Sequence, residues 1–230
     1  MRRTRFALII VAFLALVATG LAGTRTATAL TDEEELVERA KLTVLSLKSF
    51  SDAGAIRPYI QGARAVVIIP EFVKAGFILG GAHGSGVMVG RNLKTGAWRY
   101  PAFVTLSEGS IGLQIGAEAS EIVMICLTEK GVNALLDDGV NIGASAGIAV
   151  LTIGAGREAS TTTAVGADVV TFARSKGLFG GLSIEGAVLN QHQAENTAYH
   201  GRALTPKELV TTDVVGNRGA DALREALANF

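Results

Sequence analysis

Ala65-Val66-Val67-Ile68-Ile69-Pro70 is where the chain changes period. Upstream, apolar residues recur at helical spacing. Here four β-branched side chains stand side by side, stiff at χ1 and suited to a pleated surface rather than a helix. A run of this kind closed by Pro70 reads as a buried strand. Working outward, Phe72 to Leu79 is a second strand candidate. Val87-Met88-Val89 and Trp98 to Leu106 flank Lys94-Thr95-Gly96, which reads as a hairpin turn. Ile111, Leu113 and Ile115 alternate with Gly112, Gln114 and Gly116, a period of two with one small face. Ile122 to Leu127 is a further strand, in which Cys126 reads as a buried thiol. Strands are expected again at 140–153, 162–173 and 178–189.

Helices flank this sheet region. Thr31-Asp32-Glu33-Glu34 is a capping box, since the Thr hydroxyl and the Glu three residues on can each satisfy a free N–H at a helix start. The helix that follows sets Leu36, Val37, Ala40, Val44 and Leu47 on one stripe and should end near Phe50 to Gly54. Such a stripe either packs on the sheet or lies on a membrane surface. Glu33, Glu34, Glu35 and Glu38 favour the sheet, because anionic headgroups would repel them. A short helix is expected at 55–61, and Thr128 should cap another running to Leu136. Residues 191–200 and 206–213 read as helix, the latter opened by a second capping box, Thr205-Pro206-Lys207-Glu208. A last amphipathic helix carries Ala220, Leu223 and Leu227. Of the 28 glycines, 21 lie between residues 76 and 186, where glycine marks bulges, bends and close backbone approach. The pattern predicts an α+β fold: a glycine-rich, largely antiparallel bent sheet or partial barrel flanked by N- and C-terminal helices.

The composition excludes several classes. With 49% apolar residues, 18% charged and only 4 Pro, the chain is neither disordered nor collagen-like. Its formal net charge of zero excludes a strongly basic nucleic-acid binder, and one Cys cannot form an internal disulfide or a thiolate zinc site. Arg2, Arg3 and Arg5 precede an unbroken apolar run of thirteen residues, Phe6 to Ala18. Ala27-Thr28-Ala29 then fits the small-x-small cleavage pattern, and Ala22 offers a second site. The run is shorter than the ~20 residues of a membrane span, so residues 1–29 read as a secretory signal peptide and 30–230 as one domain. The leader carries Arg2, Arg3, Arg5 and Arg25 and no acidic residue; without it 17 basic residues face 21 acidic ones, a net charge of −4.

Three glycine-rich stretches invite chemical readings. Gly143-Ala144-Ser145-Ala146-Gly147 matches the elbow of serine hydrolases, with Asp168 and then His192 or His200 in the expected order. The elbow needs a helix directly after the Ser, whereas Ile148 to Ile153 reads as strand. Gly154-Ala155-Gly156-Arg157-Glu158-Ala159 resembles a dinucleotide turn, but β-prone Ser160-Thr161-Thr162-Thr163 follows where a helix is required. Gly80-Gly81-Ala82-His83-Gly84-Ser85-Gly86 ends without the Lys-Ser/Thr of a phosphate loop. The three His share no metal-ligand spacing, and no cofactor is expected. Lys74, Arg91, Lys94, Arg99, Arg174 and Lys176 are scattered in sequence; they could converge on one face to meet phosphates or remain separate solvated charges.

Several ordered stretches together resemble the SYLF domain, a lipid-binding family. They begin with Ala65-Val66-Val67-Ile68-Ile69-Pro70, Lys74-Ala75-Gly76-Phe77 and Gly80-Gly81. Gly86-Val87, Trp98, Pro101-Ala102-Phe103 and Ser110-Ile111-Gly112-Leu113-Gln114-Ile115-Gly116-Ala117 follow. The strongest is Arg174-Ser175-Lys176-Gly177-Leu178-Phe179-Gly180-Gly181, running into Ser183-Ile184-Glu185-Gly186. Asn196, Tyr199 and Gly201 close the series, so the resemblance covers about residues 33–210. It implies binding of phospholipid, phosphoinositides in eukaryotic members, and a homodimer. The actin-related activity of eukaryotic relatives accompanies additional segments and an adaptor domain and is not carried over.

The sequence therefore leads to a secreted, periplasmic, non-enzymatic protein that binds a phospholipid membrane surface and no nucleic acid. Lys74, Arg174 and Lys176, in the densest stretches of the resemblance, are the first lipid-binding candidates, with Arg91 and Lys94 beside them. An oligomeric envelope module without lipid affinity is the alternative, and a serine esterase built on Ser145 the remote one.

Overall fold

The computed structural model describes residues 29–49, 53–142, 150–153, 166–175, 178–179, 184 and 186–230. Residues 1–28 of the expected leader and the Ser145 elbow lie outside the described residues, as do the dinucleotide-like turn and Lys176. The described elements run in chain order as helices α1 (Asp32–Ser49) and α2 (Ala53–Gly62), then strands β1 (Ala65–Arg91) and β2 (Trp98–Cys126). Helix α3 (Glu129–Leu136) precedes β3 (Val140–Asn141), β4 (Val150–Ile153), β5 (Val169–Ser175), β6 (Leu178–Phe179) and β7 (Val188–Gln191). Helices α4 (Gln193–His200) and α5 (Pro206–Thr211), a 3-10 turn at Arg218–Ala220 and α6 (Asp221–Ala228) complete the chain.

The sheet is curled and, apart from the parallel pair β4 and β5, antiparallel. Its centre is β2, which pairs with β1 along one edge and with β7 and β5 along the other. The α+β expectation, a bent sheet with helices at both ends, is what the structure shows. The strand boundaries differ from those read from sequence. Pro70 does not close a strand: β1 runs through it for 27 residues, and the segments expected at Phe72–Leu79 and Val87–Val89 belong to the same strand. The register shifts between Ile69 and Phe72, so the residue with no N–H to donate sits in a bulge on a strand with one paired edge. Likewise the strands read at Trp98–Leu106, Ile111–Ile115 and Ile122–Leu127 are one strand of 29 residues. Downstream, of the strand expected at 162–173, residues 162–165 lie outside the described residues, 166–168 are not strand and β5 begins at Val169, while Gly186, at φ +88°, turns the chain inside the strand expected at 178–189.

Glycine lets so long a hairpin fold back on itself. Eighteen residues of straight strand would separate Gly86 from Ile68 by ~60 Å. Instead Gly86 lies against the Ile68 carbonyl, and a methyl on Gly84 would stand 2.5 Å from the Glu71 carbonyl oxygen. The far half of β1 thus crosses over its own beginning at positions without side chains. This buries Val66, Val67, Ile68 and Ile69 on both faces. Helix α1 covers the sheet with Val37, Ala40, Val44 and Leu47, so its stripe packs on the sheet as expected. Its polar flank is tied to three strands, with Arg39 paired to Glu71, Thr43 Oγ1 donating to Glu121 at 3.3 Å and Ser46 accepting from Arg174 at 2.8 Å.

The helix-start readings hold. Thr31 and Glu34 bond reciprocally at 3.0 and 3.2 Å, Thr205 and Glu208 form a full capping box, and Thr128 accepts from the Gly131 N–H at 3.0 Å. Asn196, Tyr199 and Gly201, the closing residues of the resemblance, dock α4. Asn196 Oδ1 accepts from the Phe103 N–H at 2.8 Å, the Tyr199 ring packs edge-on to Phe103 at 5.2 Å, and Gly201 ends the helix at φ +68°. Cys126 is fully buried, which pushes its thiol up to about 12 and leaves it un-ionised.

Next to this anchor, His200 is held as a neutral ring. Its Nε2 lies 2.8 Å from the Pro101 carbonyl and its Nδ1 accepts from the Asn217 N–H at 3.0 Å, leaving no acceptor for a second ring proton. Burial holds its pKa below the ordinary 6.5; the Arg202 charge acts in the same direction and the Pro101 bond against it. The unfolded chain then takes up this proton at higher pH than the folded one, so stability falls as pH drops below 6.5. Thermal melts between pH 8 and 5 should show that decline, and His200→Gln should flatten it. An unchanged slope in the variant would assign the decline elsewhere. Glu208, held low by its bonds to Thr205, acts only below its own ordinary value of 4.5, so the two windows separate.

Candidate functional site

The turn joining β1 to β2, residues 92–97, sits at the tip of the long hairpin, and a cleft of about 590 Å³ opens at its base. Five cations line the cleft, each from a different segment: Arg64 before β1, Arg91 at the end of β1, Lys94 in the turn, Arg99 in β2 and Lys207 in α5. Glu129 and Asp213 stand among them, leaving an excess of positive charge. Arg91 is the fixed centre. Its guanidinium lies 5.4 Å from the Trp98 ring centroid and donates to the carbonyls of Gln61 at 2.6 Å and Gly96 at 3.1 Å. Arg99 donates to Asp213 at 2.9 Å and to the Arg91 carbonyl at 2.7 Å; Arg64 reaches Glu129 at 3.3 Å. Lys94 and Lys207 are exposed and face water.

The wall carrying Lys207 and Asp213 is positioned by close backbone approach. Gly90 lies under Val210, whose carbonyl carbon would be 2.7 Å from a methyl placed there. The turn is closed within itself. The Asn92 N–H donates to the Ala97 carbonyl at 2.9 Å and the Gly96 N–H to the Asn92 carbonyl at 2.7 Å. Asn92 Oδ1 accepts from the N–H groups of Lys94 at 2.9 Å and Thr95 at 3.2 Å. Gly96 takes φ +77°, which glycine adopts without a Cβ penalty. Leu93, between these groups, is 55% exposed.

The structure brings together two of the five sequence candidates, Arg91 and Lys94. Lys74 lies elsewhere, paired with Glu108 at 2.9 Å. Arg174 is only 8% exposed and is paired with Glu121 directly across the ladder, so it ties β5 to β2 and to α1 rather than facing solvent. Arg64 and Lys207 were not singled out from sequence. They stand 143 positions apart and share no motif; the nearest local signals are the strand start at Ala65 and the capping box at Thr205.

A second pocket of about 420 Å³ lies where the start of α1 meets β2 and α4. Asp32, Glu33, Glu35 and Glu195 dominate its wall, so its field opposes an anionic ligand. The partners proposed for Ser145 are engaged elsewhere: Asp168 accepts from Thr128 at 2.5 Å and Lys130 at 3.2 Å, and His192 lies 2.6 Å from Thr105 and 3.0 Å from Glu195. Among the described residues no group of three metal-ligating side chains is placed to hold an ion. No described helix is long and apolar enough to cross a membrane.

Fold and site define a curled α+β domain with a cationic cleft beside a hairpin tip. The family model described as Ysc84, Las17-binding protein actin regulator, matches residues 107–230. The chain belongs to this family, the SYLF family of the sequence reading. Protein YSC84 of Saccharomyces cerevisiae is 30% identical over 175 residues, which is 75% of this chain and 37% of that protein. LAS seventeen-binding protein 3 of the same yeast is 30% identical over 155 residues, 66% of this chain and 33% of that protein. The human SH3 domain-containing YSC84-like protein 1 is 29% identical over 172 residues, 74% and 50% respectively. The chain thus spans about a third to a half of the length of these relatives.

Proposed function

We propose that this is an exported, non-enzymatic protein of the cell envelope that binds anionic phospholipid at the membrane surface. The observation that carries the reading is the convergence of Arg64, Arg91, Lys94, Arg99 and Lys207 on one cleft beside an exposed leucine. Outside the leader the chain is mildly acidic, so attraction must come from a local patch rather than from net charge. Each Lys or Arg near an anionic surface contributes about 1 kcal/mol, and several converging groups are needed for useful binding. Arg supplies forked donors for phosphate oxygens, and the exposed Lys supply mobile point charges. Membership in the SYLF family supports the same reading.

Purified protein should co-float with vesicles containing phosphatidylglycerol and stay behind with phosphatidylcholine alone. Binding should weaken as salt shortens the screening length from about 8 Å at 0.15 M to about 3 Å at 1 M. Absence of co-flotation under all conditions would overturn the proposal. The name of the yeast LAS seventeen-binding protein favours a second reading, a surface for a protein partner. Retention of an envelope protein by immobilised domain that shows no vesicle binding would select it.

A further inference from the structure

We propose that Leu93 is a membrane wedge: the hairpin tip enters the headgroup–acyl boundary while the cleft at its base holds the anionic groups around it. The inference rests on the lipid-surface reading above and adds how that surface is engaged. Three observations support it. First, Leu93 is 55% exposed in the turn between β1 and β2, on the rim of the cationic cleft and next to Lys94. Second, most of the N–H groups of the turn are already bonded within it. Unsatisfied backbone N–H groups are what keep irregular chain out of an apolar medium. Here the N–H groups of Asn92, Lys94, Thr95 and Gly96 all have acceptors inside the turn, and that of Ala97 reaches Thr95 Oγ1 at 3.3 Å, which leaves the Leu93 N–H to the hydrated headgroups. Third, the cations form a collar below the tip. Lys94 is adjacent and can extend its ammonium back to the phosphates while its stem stays apolar. Arg91 and Arg99 hold the base, and Asn92 Nδ2 is fixed to Asp213 at 2.7 Å. A tip already held in one conformation loses little entropy on insertion.

An acidic protein could also meet the collar, but it would have no need of an exposed leucine beside it. The bilayer interface is therefore the partner these features fit.

The test places an environment-sensitive NBD probe on Leu93→Cys. Cys126 is fully buried, so labelling of the folded protein is confined to position 93. On phosphatidylglycerol vesicles the probe should shift to the blue and be quenched by lipids carrying shallow acyl-chain quenchers. Unlabelled Leu93→Asn should bind the same vesicles about tenfold more weakly with an unchanged salt slope. Vesicle binding with a water-exposed probe and no loss in Leu93→Asn would overturn the wedge and leave the anionic cleft standing. No vesicle binding at all would overturn both. A blue shift with soluble polyglutamate equal to that with vesicles would assign the tip to an acidic protein partner and likewise overturn the wedge.

Discussion

Gly90→Ala should lower the melting temperature by about 10 °C, because the added methyl has nowhere to go. Its neighbours would be the backbone carbonyl carbon of Val210 at 2.7 Å and its Cα at 3.0 Å, with the carbonyl oxygen closer still. None of these is the end of a flexible side chain, so β1 or the whole of α5 must move. Overpacking of this kind costs typically 1–3 kcal/mol. Displacing α5 also uncovers Leu209 and Val210, both buried, which places the expected loss near 3 kcal/mol. A domain of this size shifts by ~2–4 °C for each kcal/mol. Gly86→Ala should behave similarly, since its methyl would meet the Ile68 carbonyl. Gly109→Ala is the control: nothing lies within 4 Å of its added methyl, and the melt should stay within about 2 °C. If Gly90→Ala melted with the control, the close approach of α5 to β1 would be wrong. The shape of the cleft would then have to be rebuilt, since Lys207 and Asp213 sit on the far side of that contact.

The largest functional effect is expected from Lys94→Glu/Lys207→Glu. Both side chains are exposed and face the cleft, so their reversal leaves packing untouched. At about 1 kcal/mol per charge near an anionic surface, four units of change amount to about 4 kcal/mol, or roughly a thousandfold in vesicle partitioning. Lys94→Gln/Lys207→Gln, two units of change, should lose about thirtyfold. Lys41→Glu/Lys48→Glu alters the net charge by the same amount on α1, which does not line the cleft. Measured by flotation at low salt, this control should stay close to wild type. Equal losses in the two reversed variants would mean that net charge, not the cleft, governs association.

Local rules were sufficient wherever one turn or one stripe decided the outcome. Thr31 with Glu34, Thr128, and Thr205 with Glu208 are helix starts because an oxygen three residues from a free N–H can reach it whatever surrounds it. The Val37–Leu47 stripe packed on the sheet because its spacing matches a helix period and its acidic flank suits water. Gly96 turned the hairpin because the turn needs positive φ. Local rules failed at Pro70. In isolation a proline after a β-branched run reads as a stop, whereas a bulge on a strand paired along one edge absorbs the missing N–H. The same limit hid the length of β1 and β2, whose internal glycines look like breaks and act as bends.

The candidate site was legible only in part, for the same reason. Arg91 and Lys94 flank a turn that sequence can find, and their juxtaposition is local. Arg174 drew notice from the densest motif, yet its place opposite Glu121 makes it an internal tie. Arg64 and Lys207 carry no signal, because nothing at either position refers to the other.

By itself, then, the sequence determined the class of fold, the helix starts, the hairpin turn, the buried thiol and membership in the SYLF family. These depend on periodicity, on groups a few residues apart and on ordered motifs. Only the tertiary structure decided which charges form a site. Whether a cation stands free in a cleft or is spent on a carboxylate depends on where a 27-residue strand doubles back and on how closely α5 can approach Gly90. The first joins Gly86 to Ile68, 18 positions apart, and the second joins Gly90 to Val210, 120 positions apart, and no local rule reaches so far.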